Sequence, residues 1–198
     1  MSLPPRIVLA SRSPRRAELL GRLGLEYTVE PADVDEGYAG DEMPANHAER
    51  LAREKALAIS HRHSDALVVG SDTIVVLGSD VLGKPRDEAE AVHMLGRLSG
   101  REHEVHTGIA VVYGGKVESA IERVSVRFRP LTATECESYV ATGEPMDKAG
   151  AYGIQGMGSA LVESIQGDYF AVMGLPVVRM LELIRRFGWR YDFGKLTS

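Results

Sequence analysis

Ala66-Leu67-Val68-Val69-Gly70-Ser71-Asp72-Thr73-Ile74-Val75-Val76-Leu77 is the stretch around which the rest of the chain is arranged. Almost every residue in it is apolar or β-branched, the pattern of a strand buried on both faces. Asp72 interrupts that pattern, and a carboxylate is costly to bury unless something pairs with it. It is therefore either tied up structurally, as a strand-end residue facing solvent or capping nearby backbone, or held for chemistry. Gly78-Ser79-Asp80 reads as a turn and Val81-Leu82 as the returning strand of a hairpin. Lys84, in Gly83-Lys84-Pro85 just beyond, returns a cation to the neighbourhood of Asp72.

Upstream, Ile7-Val8-Leu9-Ala10 is a short buried strand that feeds Ser11-Arg12-Ser13-Pro14-Arg15-Arg16. Ser13 suits a helix N-cap and Pro14 the first helical position, where its missing donor does no harm. Leu19, Leu20 and Leu23 form the apolar face, and Gly24 stops the helix. A strand running into a helix N-terminus presents unpaired N–H groups and the positive end of the helix dipole. With Ser11, Ser13, Arg15 and Arg16 around it, that end is a candidate site for phosphate oxygens. Tyr27-Thr28-Val29 reads as a strand, followed by the acidic loop Asp33-Val34-Asp35-Glu36. Carboxylates beside a polyphosphate are candidate Mg²⁺ ligands, since that ion takes one or two carboxylates plus phosphate oxygens. Ala45 to His61 has helical periodicity, and Lys55 on it reads by itself as a surface residue.

Downstream, Asp87 to Leu98 reads as a helix, His103 to Tyr113 and Val117 to Phe128 as two long strands joined at Gly114-Gly115. His103 and His106 are expected to be half-buried strand residues rather than ligands. Thr132-Ala133-Thr134-Glu135 is a capping box opening a helix to about Ala141. The segment from Asp147 to Gly158 carries four glycines, which keep backbone close to a neighbour, and Gln155 among them. A planar amide offers one donor and one acceptor side by side, the complement of the uracil or thymine edge. Ser159 to Ile165 reads as a strand, Gly174-Leu175-Pro176 opens a last amphipathic helix, and the tail after Trp189 is expected to fray.

At 198 residues the chain can bury roughly 70% of its unfolded surface in one core, so a single domain is expected. Its net charge of −5 argues against a broad electrostatic grip on nucleic acid or an anionic membrane. Cys136 is the only cysteine, which removes an internal disulfide framework and suits a reducing, cytoplasmic setting. No apolar run approaches the roughly 20 residues that span a bilayer.

Taken in order, Ser11-Arg12-Ser13-Pro14-Arg15-Arg16, Ser71-Asp72-Thr73, Gly83-Lys84-Pro85, Ser99-Gly100 with His103, Thr107-Gly108 and Gly174-Leu175-Pro176 resemble the Maf family of nucleoside triphosphate pyrophosphatases. The resemblance runs from about Ile7 to Phe187, and the segment from Asp147 to Gly156 is similar to the branch acting on dTTP and UTP. It implies a mixed α/β fold similar to that of the inosine triphosphate pyrophosphatases. There a long twisted mixed sheet with flanking helices forms a cleft between two lobes, in a single domain over residues 1–198 and as a homodimer. It further implies a cut between the α- and β-phosphates that depends on a divalent cation, Mg²⁺ or Mn²⁺.

Carried over by motif, the resemblance makes Asp72 the general base. Arg15, Thr73 and Gln155 set substrate choice, and Ser11, Arg16, Glu36, Lys55 and Lys84 line the phosphate and metal site. The role of Arg12 stays open, and Asp72 is as good a metal ligand as a base. The substrates expected are dTTP and UTP, including modified pyrimidine nucleotides. The competing reading is a nucleotide-binding regulator of cell division or septum formation with little hydrolysis.

Overall fold

In the computed structural model the described residues are 4–38 and 42–198. Their order is β1 (Ile7–Leu9), α1 (Pro14–Arg22), β2 (Tyr27–Val29), α2 (Pro44–Ser60), β3 (Leu67–Leu77), β4 (Asp80–Leu82) and α3 (Glu88–Leu98). Then come β5 (Glu102–Tyr113), β6 (Lys116–Phe128), α4 (Ala133–Val140), β7 (Val162–Gln166), α5 (Tyr169–Met173), α6 (Val177–Arg186), β8 (Arg190–Tyr191) and β9 (Leu196–Thr197). The fold is mixed α/β. Its main sheet runs β2-β1-β3-β5-β6-β7, with β4 paired to β3, and helices flank it. β1 lies parallel to both β2 and β3, whereas β3 with β4 and β6 with β7 are antiparallel.

The chain divides into two compact units, and β3, β5 and β6 each contribute residues to both. The first unit holds residues up to Asp72, Thr107–Glu122 and Gly174–Ser198. Its core includes Val8 of β1 and Ala10 just past it, Val68 of β3, Ala110 and Val112 of β5, and Ala52, Ala56 and Ile59 of α2. Small residues on α2 let it approach the sheet closely. A Cβ on Gly70 would lie 2.3 Å from the Ala52 carbonyl oxygen, and one on Gly108 2.2 Å from that of Ala48. Those two strand glycines are what lets the α2 backbone rest on the sheet, and this sets the height of Lys55.

The second unit comprises Thr73–His106 and Arg123–Met173. Met94, Leu95 and Leu98 of α3, Val126 and Phe128 of β6, and Tyr139 and Val140 of α4 share its core. The capping box at α4 is complete: Thr132 Oγ1 accepts from the Glu135 N–H and the Glu135 carboxylate from the Thr132 N–H. Arg129 holds the Glu135 carboxyl down at about 2.

Several local expectations need correction. Ser13 occupies the N-cap position of α1, but its side chain caps no N–H; its own N–H donates to Ser11 Oγ at 3.1 Å. His103 and His106 are buried outright, at 2% and 5% exposure, rather than half-buried. The strand expected from Ser159 begins at Val162, because Gly156–Leu161 turns as a 3-10 helix. The tail after Trp189 does not fray: β8 and β9 form a hairpin, Leu196 is buried, and Tyr191 Oη donates to the Leu23 carbonyl at 2.8 Å. Lys55, which by its place on the helix alone would pass for a surface lysine, is 6% exposed.

Candidate active site

The first unit gathers a compact set of charges just past the end of β1 and at the midpoint of β3. Lys55 Nζ, reaching from α2, bonds Asp72 Oδ1 at 2.7 Å and Glu36 Oε1 at 2.5 Å. One ammonium thus bridges two carboxylates, and Lys55 and Asp72 are both buried while Glu36 is half-exposed. Pairing of this kind is what makes a mid-sheet aspartate tolerable. Of the other acidic-loop residues, Asp33 makes only a loose surface pair with Arg12 at 3.8 Å, and Asp35 accepts from the Gly37 N–H. That leaves Glu36 as the loop carboxylate delivered to Lys55.

Arg16, on the first turn of α1, donates through Nε to the Gly174 carbonyl at 2.8 Å and through Nη1 to Ser11 Oγ at 3.2 Å. Burial lowers its pKa, partly offset by Asp72 and Glu36, with Arg15 adding to the lowering. Arg16 therefore shares the electrostatic environment of Asp72 and Glu36, and Arg15 acts on Arg16. Ser11 is buried and Ser13 half-buried beside the N-terminus of α1, so hydroxyls, helix N–H groups and guanidinium groups meet there.

Ser71 was quoted in the sequence motif without a task of its own, and the structure supplies one. Fully buried, its Oγ lies 2.7 Å from the Gly108 carbonyl and 2.8 Å from that of Gly174, and its single hydroxyl proton is shared between the two. The Gly174 carbonyl therefore accepts from both Ser71 and Arg16. This knot ties β3, β5 and the start of the Gly174-Leu175-Pro176 turn to α1, which accounts for three separated motifs at once. The signal in the sequence was a small hydroxyl beside Asp72 in an otherwise apolar strand.

The remaining candidates lie in the second unit. Thr73 is half-buried and Lys84 exposed. The Gly83 carbonyl accepts from the Gly150 N–H at 3.0 Å, so the Lys84 turn is fastened to the glycine-rich segment. Gln155 is half-buried at the start of the Gly156–Leu161 turn. The geometry brings Ser11, Arg16, Glu36, Lys55 and Asp72 together within the first unit, with Ser13 and Arg15 beside Arg16 at the start of α1, and fastens the loop of Lys84 to the segment bearing Gln155 within the second.

The donor set can be tested against a divalent cation. Among the described residues no three His, Cys, Asp or Glu side chains group as metal ligands. Glu36 and Asp72 do converge on one point, now held by an ammonium. Two hard oxygen donors at a place that already favours positive charge fit Mg²⁺ or Mn²⁺ completed by phosphate oxygens.

A parallel strand pair, a helix N-terminus rich in arginine, and a lysine-bridged pair of carboxylates define an α/β protein that concentrates charged groups at one place. The chain belongs to the Maf family: the pattern of the family described as Maf-like protein matches residues 6–187. It is 52% identical over 183 residues to the dTTP/UTP pyrophosphatase of Symbiobacterium thermophilum, covering 92% of this chain and 94% of that protein. It is 47% identical to the protein of the same name from Aquifex aeolicus, covering 91% and 94%. With that of Halalkalibacterium halodurans the identity is 45%, covering 94% and 98%. Among solved structures, a HAM1 protein from Coxiella burnetii aligns with a TM-score of 0.43 at 18% identity, over 63% of this chain and 73% of that one.

Proposed function

We propose that this chain is a nucleoside triphosphate pyrophosphatase that hydrolyses dTTP and UTP, including modified pyrimidine nucleotides, to the monophosphate and pyrophosphate. The observation that carries the proposal is the Lys55 bridge between Asp72 and Glu36 beside Arg16 and the N-terminus of α1. Triphosphate hydrolysis needs charge neutralisation and an oriented water more than covalent chemistry. Arg15, Arg16, Lys55 and Lys84 supply positive charge for the phosphates, and the Ser11 and Ser13 hydroxyls are hydrogen-bonding partners for their oxygens. Asp72 orients a water toward the α-phosphorus or takes its proton; its alternative role is ligation of a metal with Glu36. A bound Mg²⁺ or Mn²⁺ would neutralise phosphate charge and lower the pKa of a bound water. Thr73, Arg15 and Gln155 set substrate choice, Gln155 through its amide edge against the uracil or thymine ring. We take residues 1–198 to act as one catalytic domain with two lobes, working as a cytoplasmic homodimer without nucleic-acid or membrane partners.

The relatives named as dTTP/UTP pyrophosphatases support the substrate class through their identity over nearly the whole chain. The test is pyrophosphate release over a panel of canonical and modified triphosphates, with and without Mg²⁺ or Mn²⁺. Release from dTTP and UTP ahead of the purine nucleotides, and only with the cation, is the expected result. Binding without release across the panel would make the protein a nucleotide-binding regulator.

A further inference from the structure

Glu144 is an anchored carboxylate that the proposed hydrolysis does not use. It is half-buried and opens the 3-10 turn Glu144–Asp147 that follows α4, close to the glycine-rich segment that carries Gln155. Its Oε1 accepts from Tyr139 Oη at 2.8 Å and from the Gly158 N–H at 3.0 Å, and its Oε2 accepts from the Met157 N–H at 3.0 Å. Tyr139 Oη in turn accepts from the Gly153 N–H at 3.1 Å. Two side chains, one from the last turn of α4 and one from the 3-10 turn that follows it, therefore hold backbone on both sides of Gln155, at residue 153 before it and at 157 and 158 after it.

The glycines are shaped to this contact. A Cβ on Gly156 would come within 2.7 Å of Glu144 Oε2, and one on Gly158 within 2.5 Å of Tyr139 Oη. A Cβ on Gly158 would also meet the Gly153 carbonyl oxygen at 2.2 Å, and Gly156 has a φ of +68°, so both glycines answer to close packing and backbone conformation around Glu144 and Tyr139. The ionisation states agree with the arrangement. Burial pushes the Glu144 carboxyl up, but the Gly158, Tyr139 and Met157 donors and Lys148 outweigh it, leaving the group below its ordinary value. Burial raises the Tyr139 hydroxyl well above the usual tyrosine range, so it keeps its proton to donate. Lys148 Nζ adds a bond to the Glu144 carbonyl and one to Asp147 Oδ1.

We infer that Glu144, with Tyr139, is a positioning residue for nucleobase selection: it fixes the backbone on either side of Gln155 and so aims the amide that reads the base. This rests on the proposed reading of Gln155 as the base-contacting residue. Glu144 touches no substrate in this scheme and acts through the peptide groups it holds.

Glu144→Gln is the sharpest probe, because it keeps the size and replaces one oxygen by an NH₂. Whichever way that amide turns, a donor meets either Met157 N–H or the Gly158 and Tyr139 pair. Tyr139→Phe is the second variant, removing the link to Gly153 together with the bond that Tyr139 Oη donates to Glu144. Affinities for the non-hydrolysable α,β-imido analogues of UTP and ATP are measured on the wild type and both variants, alongside kcat/KM for UTP. The expected result is a fall of about tenfold or more in the uracil-to-adenine affinity ratio in both variants, the adenine affinity staying near that of the wild type. A merely structural role would lower both affinities together and leave the ratio unchanged, which overturns the inference, as does a wild type that does not prefer the uracil analogue. A wild type that binds the uracil analogue preferentially yet releases no pyrophosphate from any triphosphate overturns the proposed hydrolysis alone. The affinity ratio then still decides the role of Glu144.

Discussion

Lys55 carries two carboxylates on a single ammonium, and that balance makes Asp72 both tolerable and useful. Removing the charge of one member of a buried pair while leaving the other is ordinarily destabilising by about 3–5 kcal/mol. In Asp72→Asn the amide oxygen still accepts from Lys55, and Glu36 remains as its counter-ion, so the fold is expected to survive. The asparagine cannot accept a proton from water, and losses of about 10²–10⁴ in kcat follow from removing a positioned base. Pyrophosphate release should fall by that order while calorimetric titration shows dTTP still bound; wild-type turnover would take Asp72 out of the mechanism. Asp72 stood out in the sequence because its charge broke an apolar run. Ser71 did not, because a buried serine is ordinary until its two carbonyl partners are known.

At the scale of elements, the site depends on how closely α2 lies on the sheet. Gly70 and Gly108 leave no room for a methyl group against the Ala52 and Ala48 carbonyls. Gly108→Ala forces backbone atoms apart, where overpacking ordinarily costs roughly 1–3 kcal/mol. It also lifts α2, and Lys55 with it, from Asp72. The variant should melt lower and lose turnover more steeply than affinity for inorganic pyrophosphate, as thermal unfolding and competition assays would show; a wild-type melting point and turnover would disprove the close-approach argument. The periodicity of α2 was legible to within a residue at each end, since amphipathic spacing is a local property. What the helix rests on was not, because no local signal says which strand glycine faces which turn. The segment from Ser159 was misread for a related reason. The Met157 and Gly158 N–H groups bond Glu144, thirteen and fourteen residues back, and this favours a tight turn over extended backbone.

For the whole molecule, the folding equilibrium should feel one buried imidazole. His103 is enclosed with Phe128 and Tyr152, their rings edge-on at 5.1 and 5.4 Å, and shares a 2.8 Å hydrogen bond with Tyr152 Oη. Burial pushes its pKa from 6.5 down to about 4. Between those values the unfolded chain holds a proton that the folded chain does not, so stability falls as pH drops from about 6.5 and levels off below about 4. The whole shift corresponds to about 3 kcal/mol at most. Denaturant unfolding at a series of pH values should show this slope in the wild type and a shallower one in His103→Gln. Equal slopes would mean that His103 is protonated in the fold. The sequence placed His103 on a strand but underestimated its burial, because alternation shows which face a residue takes and not how deeply that face is covered.

The sequence by itself determined the order and kind of the elements from β1 to α4 and of the last long helix, but not α5 or the β8–β9 hairpin. It also determined the strand-to-helix N-terminus with its arginines and the aspartate in the apolar strand. Periodicity, capping and charge are properties of neighbouring residues, and the motifs they form were enough to indicate the family. Only the tertiary structure decided which charges are partners: Lys55 with Glu36 and Asp72, Arg16 with Gly174, Glu144 with the backbone around Gln155. Ion pairs and buried hydrogen bonds join groups far apart along the chain, as Ser71 and Gly174 are at 103 residues. Their strength depends on distance and burial in the folded state, and neither quantity is carried by local sequence.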